Sequence, residues 1–257
     1  MATFLFDKIV FGPVKSRRLG ISLGINLLPV NAKLCSFDCI YCECGLLNRG
    51  QSVKLPSREE VKTALEQKLS EMKSDGLEPD VITFAGNGEP TLHPDFGGII
   101  DDTIVLRDIF FPDAKISVLS NATMLNDNKV FDALNKVDNN LLKLDSGIEE
   151  TMQLIDNPPN KNITVAKIVA TLKKFNGNFI LQTMFLRGSV NGIPVDNTTD
   201  AELEAWLKAV KEVNPKQLMI YSLDREAPFK TLQKVEQEEL ERIAVKIRGE
   251  GFEVLVA

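Results

Sequence analysis

The sequence predicts an α/β fold on a parallel sheet, a partial (βα)6 TIM-like barrel with an additional C-terminal strand. Three observations predict it. Short apolar runs alternate with amphipathic helical stretches every ~25–35 residues, the mark of parallel βαβ units. Six such units can be traced, short of the eight that close a barrel. Polar clusters fall where these strands end, which is where parallel α/β folds keep their working residues. A length of 257 residues fits one domain of this kind or two small ones. Our reading is one domain: 1–20 as an N-terminal extension, 21–225 as the six βα units, and 226–257 as a closing helix and strand.

The elements follow in order. Strand one is Ile21–Leu28, followed by a Cys-rich loop. Helix one starts at Ser57-Arg-Glu-Glu60, where Ser57 can cap and Glu60 can reach back in a capping box. It carries Val61, Leu65, Leu69 and Met72 on one face and stops at Asp75-Gly76. Strand two, Val81–Phe84, runs into Gly86-Asn-Gly-Glu-Pro90. A helix over Asp95–Phe110 leads to strand three, Lys115–Leu119, then Ser120-Asn121 and a short helix over Asp127–Asn135. Strand four, Leu141–Leu144, ends in Asp145, and a helix covers Thr164–Phe175. Strand five is Phe179–Leu186, with Arg187 at its end. A second capping box at Thr199-Asp-Ala-Glu202 opens a helix that buries Leu203, Trp206, Leu207 and Val210. Strand six is Gln217–Ser222, a last helix spans Val235–Arg248, and Phe252–Val256 extends a sheet edge.

With 44% hydrophobic and 26% charged residues the chain has the make-up of a globular protein. No stretch approaches the ~20 apolar residues of a membrane helix, and the N-terminus is charged too early for a signal peptide. The expected location is cytoplasmic, without membrane association. A net charge of −6 argues against wholesale electrostatic binding of nucleic acid, although Lys15, Arg17 and Arg18 stand together near the Cys loop.

The four cysteines all lie between Cys35 and Cys44. A disulfide framework would spread them along the chain to close long loops, so clustering points to metal. Cys35, Cys39 and Cys42 can fold back on one centre, and three thiolates are one short of a closed zinc or iron–sulfur site. A [4Fe–4S] cluster held by three cysteines keeps one iron open to an outside ligand. Cys44 leaves an alternative: a non-catalytic zinc or iron–sulfur protein using Cys35, Cys39, Cys42 and Cys44.

The motif Cys35-Ser-Phe-Asp-Cys39-Ile-Tyr-Cys42 resembles the hallmark of the radical S-adenosylmethionine (radical SAM) enzymes, including the aromatic Tyr41. Phe11-Gly-Pro-Val-Lys-Ser-Arg-Arg-Leu-Gly20, Gly24-Ile-Asn-Leu-Leu-Pro29 and Tyr221-Ser-Leu-Asp-Arg225 resemble a bacterial branch related to the wyosine-base synthases of tRNA. Gly86-Asn-Gly-Glu-Pro90 resembles the superfamily's GGEP element, with Asn87 where Gly is usual. The resemblance implies an open (βα)6 barrel and a [4Fe–4S] cluster on Cys35, Cys39 and Cys42 that cleaves S-adenosylmethionine (SAM) reductively. The resulting 5′-deoxyadenosyl radical takes hydrogen from a substrate, and an electron donor such as flavodoxin or ferredoxin is needed. It implies that Gly86, Asn87, Gly88 and Glu89 receive the methionyl ammonium and that Tyr41 meets adenine. RNA or nucleotide modification is the reaction class it suggests. The second cluster of the wyosine enzymes cannot be built, because no Cys precedes Cys35.

Other residues carry two readings each. Ser120 and Asn121 can bind ribose hydroxyls or cap a helix. Asp145 can bind ribose, orient substrate, or hold a turn. Gln182 lies mid-strand, facing into or out of the barrel. His93, the single histidine, reads as a helix entry beside Pro94 rather than an acid–base group. Arg187 and Arg225 can bind a substrate carboxylate or phosphate, or pair with Asp224 or Glu226.

Overall fold

The computed structural model describes residues 4–16, 19–47 and 53–257. The strands are β1 (Val10–Ser16), β2 (Gly20–Ile25), β3 (Val81–Phe84), β4 (Lys115–Ser120), β5 (Asn139–Lys143), β6 (Ile180–Met184), β7 (Leu186–Val190), β8 (Ile193–Asp196), β9 (Gln217–Tyr221), β10 (Gln233–Lys234) and β11 (Val254–Val256). The helices are α1 (Arg58–Ser74), α2 (Phe96–Phe110), α3 (Asn128–Leu134), α4 (Glu149–Ile155), α5 (Val165–Leu172), α6 (Asp200–Val213) and α7 (Gln237–Gly249). An eight-stranded sheet runs β1-β2-β3-β4-β5-β6-β9-β11, parallel throughout except for the antiparallel β1–β2 pair. This is the expected α/β partial barrel, and β11 extends its edge beside β9.

Helix faces follow from their capping and periodicity. Ser57 and Glu60 form the reciprocal capping box of α1, which buries Val61, Leu65, Leu69 and Met72. At α6 only half of the expected box forms. Thr199 accepts from the Glu202 amide, but the Glu202 carboxylate is taken by the hydroxyls of Ser146 and Thr151. That buried carboxylate ties the β5–α4 loop to α6.

Trp206 shows which face of the sheet the helices cover. Its indole N–H donates to Leu144 O and to Thr183 Oγ1, and its ring meets Phe185 edge-on. Thr183 and Phe185 therefore point outward, and pleat alternation turns Gln182 and Met184 to the concave face. Register then puts Lys143, Met219 and Tyr221 on that concave face as well. An apolar group of Leu141, Ile180 and Met219, with Leu19, Leu119 and Leu255 against it, plugs the lower part of the concavity. Polar side chains occupy the level above.

Three departures from the expected elements have local causes. The 1–20 extension contains β1, whose alternation is broken by a bulge between Phe11 and Val14. Helix α4 is two turns long, too short to show a helical period. Strand five ends at Met184 and Leu186 begins a hairpin, β7–β8, which with β10 forms a separate antiparallel sheet. Asn191 and Gly192, both at positive φ, make its turn. Arg17 and Arg18 lie outside the described residues.

Trp206→Ala should lower unfolding free energy by about 3–5 kcal/mol, the range for deleting a large buried aromatic. Urea denaturation measures it, and a loss below about 1 kcal/mol would contradict this packing.

Candidate active site

The Cys loop leaves β2 through Asn26, whose side chain folds the turn by accepting from Leu28 N and donating to Leu28 O. The same Asn26 Oδ1 accepts from Asn87 N at 3.0 Å, reaching the loop after β3. The two loops then meet backbone to backbone. Leu34 N donates to Asn87 O (2.9 Å) and Glu89 N donates to Leu34 O (3.0 Å). Gly88 stands at φ +140°, and a Cβ there would lie 1.8 Å from Leu34 O, so only glycine fits.

Asn87 is fully buried and saturated by backbone. Its Oδ1 accepts from Phe6 N, and its Nδ2 donates to Phe6 O and Pro29 O. Where the family motif usually has glycine, this side chain clamps the N-terminal segment over the loop. Glu89 is also buried. Its Oε1 accepts from Thr91 N and Oγ1, and its Oε2 accepts from Asn121 N at 2.6 Å, tying in the end of β4. Burial raises its pKa, and these donors work against that rise.

Asn121 donates through Nδ2 to Ser36 Oγ (2.8 Å), with Cys35 Sγ at 3.6 Å. Ser120 Oγ accepts from Ala122 N within its own turn. On the other side of the Cys loop, Asp38 N donates to Asp156 O and Ile40 N to Ile155 O, so the C-terminal end of α4 braces it. Tyr41 O–H donates to Asp145 Oδ2 at 2.5 Å, and Asp145 Oδ1 accepts from Met184 N. Gln182 faces inward with its Nε2 3.8 Å from Met219 Sδ.

The three thiols influence one another. Burial pushes the Cys39 thiol well up, and Cys42 and Cys35 add to the rise. Burial, with Glu89 beside it, pushes Cys35 up to about 12. Cys42 is lowered to about 6, first by a hydrogen bond from Cys44, with the Lys33 ammonium adding to the effect. Among the described residues no three His, Cys, Asp or Glu side chains gather around one point as a single ion requires. The donor set of thiols spread along one loop suits a multi-iron cluster better than a lone zinc.

Three charged residues escaped the sequence reading. Lys33, almost wholly buried, donates to Gly45 O and pairs with Asp38, folding the Cys loop on itself. Lys143 pairs with Asp145 and Asp156. Burial works against the Lys143 charge, but the two carboxylates and Cys39 overcome it and hold its pKa well above the usual value. An inward lysine at the end of an apolar strand was a visible signal. Asp156 had none, because α4 was not recognised.

The remaining candidates lie elsewhere. His93 donates through Nε2 to Pro56 O and accepts from Asp95 N, a buried helix-entry role. Arg187 sits in the hairpin and pairs with Glu239 and Asp196, and Arg225 pairs with Glu43. These ion pairs among the described residues differ from the ones expected from sequence.

A model of the radical SAM superfamily matches residues 32–210. The chain belongs to the radical SAM superfamily. It is 30% identical to a UPF0026 protein of Helicobacter pylori, covering 94% of this chain and 74% of that protein. It is 32% identical to a UPF0026 protein of Methanocaldococcus jannaschii (80% and 61%), and 31% identical to a GTPase Obg of Brachyspira hyodysenteriae (93% and 33%). The chain thus spans a third to three fifths of the length of these last two. It contains no Gly-Lys step, which a phosphate-cradling GTPase loop requires. Among solved structures it resembles a radical SAM methyltransferase from Sphaerobacter thermophilus (TM-score 0.68, 14% identity, 92% of this chain and 65% of that one). It also resembles TYW1 with a lysine–pyruvate adduct bound (TM-score 0.63, 14% identity, 90% and 74%). The relation to the wyosine branch is therefore one of fold. A radical SAM enzyme of this superfamily works with a [4Fe–4S] cluster and SAM.

Asn87→Ala should remove three buried hydrogen bonds, at about 1–3 kcal/mol for the groups left unpaired. Amide exchange at Phe6 should accelerate relative to wild type, and unchanged exchange would contradict the clamp.

Proposed function

We propose that Cys35, Cys39 and Cys42 hold the [4Fe–4S] cluster and that SAM lies between them and the ends of β3, β4 and β5. The observation that supports this is the backbone pairing of Leu34 with the Asn87–Glu89 turn, which sets the Cys loop against the buried Glu89 carboxylate. When bound, the pair of cofactors supplies one-electron cleavage of a sulfonium C–S bond, giving methionine and a 5′-deoxyadenosyl radical that takes hydrogen from substrate.

The chain's own residues place these groups. Glu89, held by Thr91 and Asn121, presents its carboxylate to the methionyl ammonium. Gly86 and Gly88 keep the backbone close to the ligand. Asn121 and Ser120 stand on the ribose side, with Asp145 and Gln182 on the neighbouring wall. Tyr41, fixed by Asp145, supports the adenine side of the loop. The apolar plug beneath keeps water from the radical.

An external reductant must deliver the electron, and a low-potential carrier such as flavodoxin or ferredoxin fits that need. Free thiols and a cluster suit the reducing cytoplasm, where the protein is proposed to act. No helix is long and apolar enough to cross a membrane among the described residues. RNA or nucleotide as substrate rests on the sequence motifs alone, and the charge of −6 lends it no support.

After anaerobic reconstitution and reduction, wild type should convert SAM to 5′-deoxyadenosine and carry about four irons, the content of one cubane cluster. Cys39→Ala should lose iron and product, whereas Cys44→Ala should keep both. Iron retained by Cys39→Ala but lost by Cys44→Ala would reject this ligand set.

A further inference from the structure

The roles above leave Lys143 unused. It leaves the end of β5 on the concave face, opposite Gln182. Its Nζ lies 3.0 Å from Cys39 Sγ and 3.0 Å from Asp145 Oδ2, and it pairs with Asp156 Oδ1. The rings of Phe37 and Tyr41 face it at 5.2 and 4.8 Å. Its side chain is 11% exposed. The ammonium donates to Cys39 Sγ and Asp156 Oδ1, and the Asp145 carboxylate pairs with it as an ion. Asp156, which anchors the ammonium, also accepts from Asp38 N through its backbone, so one residue fixes both the cation and the Cys loop.

We propose that Lys143 is a positioning residue of the cluster site, a fixed cation whose N–H donates to the Cys39 sulfur and makes the bound cluster easier to reduce. The inference rests on Cys39 being a cluster ligand. Reduction adds negative charge to the cluster within a poorly polarisable wall, where a touching ammonium stabilises the reduced form more than the oxidised one. The carboxylates offset part of this field, but the ammonium touches the sulfur at 3.0 Å whereas Asp156 Oδ1 stands at 3.8 Å. Direct donation to sulfur therefore sets the sign.

Removing the ammonium alone would strand two buried carboxylates, so the test compares two variants in which only Asp145, still held by Tyr41 O–H and Met184 N, faces that position. Asp156→Asn keeps Lys143, whereas Lys143→Met in the Asp156→Asn background removes it. The measurement is an EPR-monitored potentiometric titration of reconstituted protein without SAM. The double variant should have a midpoint potential at least 59 mV below Asp156→Asn, a tenfold weaker one-electron reduction, and Lys143→Arg should stay close to wild type. Equal potentials at equal iron content would overturn the inference. Should the double variant hold no iron, pulsed EPR on wild type grown with 15N-lysine decides. A nitrogen coupling to the reduced cluster that Lys143→Arg abolishes supports the contact, and its absence overturns it. If Cys39→Ala keeps the cluster, the ligand assignment itself fails. If iron depends on Cys39 but the potential ignores Lys143, only this inference falls.

Discussion

Everything at the mouth of the half-barrel depends on one close backbone approach, Leu34 against Gly88. Two hydrogen bonds cross it, and no side chain fits between. Loops at strand ends have few apolar contacts of their own, so their buried amides and carbonyls must find partners in neighbouring loops. Here the loop after β2 finds them in the loop after β3. That pairing places Glu89, which accepts from Asn121 N, and Asn121 donates back to Ser36 in the Cys loop. The chain of contacts closes on itself. On its far side the Cys loop is held by two backbone bonds to the end of α4.

The site is rich in buried charge. Lys33 with Asp38, and Lys143 with Asp145 and Asp156, lie where water has little access. Buried ion pairs are poor sources of stability, since desolvation consumes most of their attraction. Their placement beside the three thiols suits a task of holding loop and cluster in one geometry. The fold alone does not decide the reaction, because the same half-barrel is shared with a methyltransferase and with TYW1 at 14% identity.

Much of this architecture was legible in the sequence, and the reasons are physical. The parallel strands are buried on both faces and read as apolar runs, so Val81–Phe84 and Lys115–Ser120 emerge almost to the residue. Helix α1 announces itself by a capping box and a four-residue stripe. Helix α4 and the β7–β8 hairpin were not legible, because short elements at the mouth take their form from the loops they brace. The side of the sheet on which Gln182 stands needed Trp206 to declare itself, since every residue of β6 is buried and alternation carries no signal. The Cys motif and Glu89 were readable as chemistry. The clamp by Asn87 was not, because its partners are backbone groups of Phe6 and Pro29, distant in sequence.

In the proposed site three thiolates leave one iron open to SAM. Mössbauer spectroscopy of 57Fe-reconstituted protein tests it most directly, recorded with and without SAM. One iron of the four should change its isomer shift when SAM is added, while the other three keep their thiolate signature. A spectrum in which SAM leaves all irons unchanged would contradict the account.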